Sequence, residues 1–165
     1  VAYAKGDLNA MKTYIDKASK INAAAPEVNV NRSLLALAQG NVEEAQTYIG
    51  RGTGADSYNE VLGNLCIATA NYSQAAGALA GKNTNSAALA QILNNDYSGA
   101  AKTLAAIKTS DATTDYLAAI LSARTGDATG VASNLRKAAA KDPSYAARAK
   151  KDLEFAKYAA AVNAL

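Results

Sequence analysis

A ten-residue pattern occurs five times along the 165-residue chain, and a fixed repeat constrains a fold more tightly than composition does. It reads GDLNAMKTYI from Gly6 to Ile15, GNVEEAQTYI from Gly40 to Ile49 and ANYSQAAGAL from Ala70 to Leu79. It returns as NDYSGAAKTL from Asn95 to Leu104 and GDATGVASNL from Gly126 to Leu135. The first position is Gly, Ala or Asn, which suits a helix end that needs a left-handed residue. The second is always Asp or Asn (Asp7, Asn41, Asn71, Asp96, Asp127), the residue types that accept from free N–H groups at a helix start. Positions six and ten, Ala45 and Ile49 for example, are four apart and share one helix face. Each block therefore reads as helix end, tight turn, second helix.

The first helix of each pair precedes its block, as in SLLALAQ from Ser33, VLGNLCIAT from Val61, SAALAQILN from Ser86 and DYLAAILSART from Asp115. Alanine-rich stretches of this kind favour helices that approach closely, because small side chains fill little space. Block starts are separated by 34, 30, 25 and 31 residues.

With these features the chain resembles the tetratricopeptide repeat (TPR) family, whose unit is a 34-residue helix pair. Leu62-Gly63 matches that family's first-helix Leu-Gly pair. Gly40-Asn41-Val42 with Ala45, and Ala70-Asn71-Tyr72 with Ala75, match its turn and second-helix Ala. Pro143 stands where its closing Pro is expected. The resemblance implies an all-α, right-handed alpha-alpha superhelix of degenerate hairpins with a C-terminal capping helix. The departures are the 25-residue spacing, a Leu-Gly pair that occurs once and a Pro missing from most units. They put regular stacking in doubt around Gly81 to Asp96. Through DLEFAKY, Asp152 to Tyr158, the chain is also similar to helical repeat tails of envelope-associated proteins in anaerobic Gram-negative bacteria. That similarity implies a periplasmic or cell-envelope location and leaves the cytoplasm open.

The expected organisation is a single domain over 1–165, a fragment of a longer protein. Its units are a truncated 1–25, then 26–52, 57–81, 82–108 and 110–141, with a capping helix over 143–160. Residues Val1 to Lys5 are too few for an opening helix, so the first pair is expected to have lost one. Gly50 to Ser57 reads as the most flexible loop. In the capping helix, Asp142 caps and Pro143 takes the first position. Its apolar line is expected at Ala146, Ala149, Leu153, Ala156 and Ala160, with Arg148, Lys150, Lys151 and Lys157 in water.

Catalytic signals are weak. Histidine is absent, which removes the commonest general base and zinc ligand. Cys66 is the only cysteine, on an apolar helix stretch with no base to activate it. Gly50, Gly52 and Gly54 lack the Lys-Ser/Thr of a phosphate loop and read as a helix stop. Glu44 and Asp111 sit at helix starts, where carboxylates complement the dipole. No catalytic residue, cofactor or metal is expected. Net charge of +3 is too small and dispersed for a nucleic-acid partner. No apolar run is long enough for direct membrane insertion.

The expected function is that of a non-catalytic scaffold binding a protein or peptide on the concave face formed by first helices. The family's groove positions carry over to Glu60, Asn64, Asn85 and Tyr116. Glu60 has a rival reading as a capping-box partner of Ser57. Leu34, Leu37, Leu89 and Ile92 fall on the same face and make it partly apolar. The alternative is an oligomerisation or spacer element of a larger cell-envelope protein, with self-association through exposed helix edges. Nine tyrosines serve either reading, as interface residues or as substitutes for the missing Trp and scarce Phe.

Overall fold

The structure, a computed structural model, describes residues 6–165, and every regular element among them is helical. The expectation that Val1 to Lys5 fall short of a full helix lies outside the described residues. Helix α1 (Leu8–Asn22) is followed by the pairs α2 (Pro26–Ala38) with α3 (Val42–Ile49), and α4 (Tyr58–Ala68) with α5 (Tyr72–Ala78). Next come α6 (Asn85–Leu93) with α7 (Tyr97–Ala106), and α8 (Ala112–Thr125) with α9 (Ala128–Lys141). The chain ends in α10 (Ser144–Ala149), a 3₁₀ segment (Leu153–Tyr158) and α11 (Ala159–Asn163). The helices form two compact units, one ending at Leu79 and one beginning at Ala80.

One turn joins the two helices of every pair. The first position of each block has positive φ: Gly6, Gly40, Ala70, Asn95 and Gly126 lie between 58° and 80°. In four of them the next N–H reaches back five residues: Asn41 to the Ala36 carbonyl, Asn71 to Cys66, Asp96 to Gln91 and Asp127 to Ser122, at 2.8–2.9 Å. The positive-φ residue donates its own N–H three residues back, for example Gly40 to Leu37 at 3.0 Å. These two bonds satisfy carbonyls that a helix end otherwise leaves free, the arrangement of a Schellman motif. The Asp or Asn that follows starts the second helix. Asp7 accepts from the Ala10 N–H at 2.9 Å, Asn41 from Glu44 at 3.2 Å, and Asp96 and Asp127 from Gly99 and Gly130 at 2.9 Å. Asn71 departs from the expectation. Its amide nitrogen donates to the Gln74 side-chain oxygen at 2.8 Å, and its own oxygen caps nothing.

The turn sets which residues meet between paired helices. Ala45, Ala75 and Ala100 are all 0% exposed, as is Val131 at the equivalent position of α9. Opposite them, eight residues before each N-cap, stand Ser33, Gly63, Ala88 and Ala119, all buried. Small residues on both sides let the backbones come close. Between α2 and α3 the approach is near enough for the buried Ser33 hydroxyl to donate to the Ala45 carbonyl at 2.8 Å. In the first unit Val30, Ile49, Val61 and Leu65 complete the core, and Met11 and Ile15 dock α1 on Leu35. In the second unit Ile92, Tyr116, Leu117, Val131, Leu135 and Phe155 do so. The short block spacing corresponds to short helices: α5 has 7 residues and α6 has 9, against 14 in each of α8 and α9.

Three local expectations change. Ser57 makes no cap bond, because the chain before it is already turning and Tyr58 donates to the Ala55 carbonyl at 3.0 Å. The Gly50–Ser57 loop is docked: Gly52 and Ala55 are buried, and a Cβ on Gly52 would strike the Val30 side chain. The helix expected over 143–160 breaks at Lys150–Asp152. The Asp142 carboxylate accepts from the Ser144 N–H at 2.9 Å, but α10 begins one residue later than expected, at Ser144, with Pro143 in the cap position. Asp152 then caps a new segment, accepting from the Glu154 N–H at 3.0 Å. The break rotates Phe155 and Val162 inward and leaves Leu153 at 88% exposure, so the expected apolar line past Ala149 is not the buried one.

Candidate functional site

The four residues expected to line a groove fall on three first helices. Glu60 and Asn64 lie one turn apart on α4, so they share a face. Glu60 is exposed and Asn64 half-buried. On α2 of the same unit, Leu34 and Leu37 are half-buried, resting on the Val30–Val61–Leu65 cluster while keeping part of their surface in water. The first unit thus offers a carboxylate, an amide and leucine edges on first helices.

Asn85 and Tyr116 are committed to internal contacts in the second unit. Asn85 opens α6, donates to Asp111 Oδ1 at 3.1 Å and accepts from Thr114 Oγ1 at 2.9 Å. Asp111 in turn caps α8 by accepting from the Thr114 N–H at 2.8 Å. The Thr114 hydroxyl accepts from the Asp111 N–H at 3.2 Å, closing a capping box. Burial works to raise the Asp111 carboxyl, but the bonds from Thr114, Asn85 and Thr113 outweigh it and hold it below the usual carboxylate range. This network ties the start of α6 to the start of α8. Ile92, expected on the same face as these residues, is fully buried in the core, whereas Leu89 stays half-buried.

Tyr116 is 1% exposed and so does not present its ring to solvent. Its hydroxyl donates to Asp152 Oδ2 at 2.7 Å. Its ring lies 5.0 Å from that of Tyr145 and 5.5 Å, edge-on, from that of Phe155. The Arg148 guanidinium covers it at 4.9 Å. Burial, then the Asp152 carboxylate, push the phenol well above its ordinary value, so it stays a proton donor.

Sequence reasoning missed the partners that cover Tyr116. Arg124 Nε donates to Glu154 Oε2 at 3.0 Å and Oε1 at 3.2 Å, and Arg124 Nη1 donates to the Ile92 carbonyl at 3.1 Å. The Tyr158 hydroxyl donates to the Ala123 carbonyl at 3.0 Å. The signal for this was Asp152, a cap-type residue interrupting the expected helix three residues before the only Phe. A cleft of about 260 Å³ lies beside these contacts, floored by Phe155 and Val162 and rimmed by Lys150, Asp152 and Asn163. That is below the roughly 300–1,000 Å³ of small-molecule sites. Where the end of α9 meets the start of α8, Lys141 Nζ sits 2.7 Å from Asp115 Oδ2, while its hydrogen bonds go to the Ser110 carbonyl and hydroxyl at 3.0 Å. Asp115 is held there by charge rather than by an aligned bond.

Cys66 is buried, and burial pushes its thiol up, the reverse of activation. Among the described residues no group of three His, Cys, Asp or Glu side chains could hold a metal ion. No helix among them is long and apolar enough to cross a membrane. No family model, curated protein or solved structure matches the chain.

Proposed function

We propose that this chain is a non-catalytic protein- or peptide-binding scaffold. In it, TPR-like hairpins stack as a right-handed superhelix and present their first helices on a concave face. The observation that carries the reading is the shared turn. Four hairpins joined by the same Schellman turn, three of them with an Asp or Asn side-chain cap as well, have equivalent first helices, and equivalent helices can line one binding face. Glu60 and Asn64, with the edges of Leu34 and Leu37, form its contact set. Such a set suits an extended segment that offers amide or cationic groups beside small apolar side chains.

A peptide-display selection against the whole chain tests this. Recovered peptides are expected to lose at least about tenfold in affinity with Glu60→Ala and Asn64→Ala, equal to about 1.4 kcal/mol. Thr47→Ala, on the exposed side of a second helix, is expected to change nothing. Peptides that respond to Thr47 and ignore α4 would contradict the proposal.

Two exposed residues favour a second reading, self-association of a spacer element in a larger envelope protein. Tyr14 and Ile21 on α1 are 66% and 88% exposed and lie seven residues apart, on one helix face. Sedimentation over a concentration series discriminates, since a chain that stays monomeric has no use for this face between copies.

A further inference from the structure

The segment Asp152–Tyr158 is fastened to α8 in a way that differs from the rest of the core. Within the helix pairs the closest contacts are mainly small buried residues. Here the grip is largely polar and falls on one face of α8. Tyr116 donates to Asp152, the Ala123 carbonyl accepts from Tyr158, and Arg124 pairs with Glu154 through both carboxylate oxygens. One side chain, Phe155, fills the apolar slot beside Tyr116. Two spaced carboxylates, an aromatic anchor and a few backbone or hydroxyl bonds are what a receptor uses to read a short peptide. The segment is 3₁₀, bounded by the turn at Lys150–Asp152 on one side, and its Leu153 faces water. It makes the contacts of a ligand while being joined to its receptor.

We propose that Asp152–Tyr158 is an internal stand-in for a peptide ligand: the face of α8 formed by Tyr116, Ala123 and Arg124 takes an acidic-aromatic peptide of the pattern Asp-x-Glu-Phe, and the chain's own strap occupies it until displaced. This rests on the peptide-binding reading above and names a partner class for one first helix. It also accounts for the burial of Tyr116, a groove position by resemblance. A tethered segment competes at an effective concentration on the order of millimolar, so micromolar peptide does not displace it from the wild-type chain. Weakening the strap's two carboxylates lowers that competition and leaves the face intact.

The test uses the whole 165-residue chain carrying D152N and E154Q, with Phe155 left in place so that the core is not emptied. Hydrogen exchange is expected to accelerate at least about tenfold at amides 153–163 and to stay unchanged in α8 and α9. A fluorescein-labelled peptide of sequence KDLEFAKYA is expected to bind this variant at least about tenfold more tightly than it binds the wild type. The same peptide with Asn and Gln for its acids is expected to lose that gain. If α8 and α9 exchange faster in step with the strap, the segment is an integral part of the core and the proposal fails. It also fails if the labelled peptide binds both chains equally or neither. Display-selected peptides that still depend on Glu60 and Asn64 would then leave the wider function standing.

Discussion

Gly63 of α4 and Leu79 at the end of α5 share one space: a Cβ on Gly63 would lie 2.7 Å from Leu79 Cδ1 and 2.9 Å from Cδ2. Leu79 is 2% exposed and has nowhere open to turn. Gly63→Ala is therefore expected to cost about 1–3 kcal/mol by overpacking. Leu79→Ala in the same chain should recover part of that cost, because each change relieves the other. Urea denaturation of the two single variants and the double variant measures the coupling. Additive losses would mean the two residues do not meet.

Cys66 follows three residues after Gly63 and reports on the same hairpin. Its buried, protonated thiol should react with a thiol reagent only when the first unit opens. Labelling in native buffer is expected to be slow, fast in urea, and faster for Gly63→Ala than for wild type. Rapid labelling of the native wild-type chain would contradict the burial.

The turns make a prediction of opposite sign at two equivalent positions. Ala70 has φ of 58°, a conformation costing an L-residue with a Cβ about 1–2 kcal/mol. Ala70→Gly removes that strain at some cost in chain entropy, so a net gain of up to about 1 kcal/mol is expected. Gly126, with φ of 80°, is the mirror case, and Gly126→Ala should lose about 1 kcal/mol. Thermal melts of both variants decide it. Loss of stability in Ala70→Gly would show that the left-handed turn is absent there.

Asp111 makes part of the second unit's stability depend on pH. Its carboxyl titrates lower when folded than when unfolded, so its stabilisation is present above an unfolded value of about 3.9. It is lost as pH falls through the depressed folded value. Asp111→Asn is expected to reduce stability at pH 7 and to match wild type more closely as pH falls through the depressed folded value. A constant difference between the two across that range would assign the effect to shape instead of charge.

What the chain discloses in advance is what is decided locally. The left-handed residue and the N-cap are chosen by side chains within a few positions, so Gly40-Asn41, Ala70-Asn71 and Asn95-Asp96 can be read directly. Ala45, Ala75 and Ala100 follow once the turns are aligned. The small residues opposite them, Ser33, Gly63, Ala88 and Ala119, were also legible by counting back from the caps, yet they vary in type and only Gly63 stood out. The C-terminal break left one local trace, the cap-type Asp152 inside an expected helix, but what the segment after it packs on was not legible. Asp152 and Glu154 find their partners 36 and 30 residues away, at Tyr116 and Arg124, and helical periodicity carries no trace of such pairing. For the same reason Tyr116 reads as a groove residue by position but is covered by a distant segment.

The central claim, that first helices form the binding face, is tested most directly by amide shift mapping of the ¹⁵N-labelled chain with a display-selected peptide. The account predicts shifts concentrated on α2 and α4 around Leu34, Leu37, Glu60 and Asn64, with the second helices α3, α5, α7 and α9 unmoved. Shifts concentrated on those second helices would contradict it.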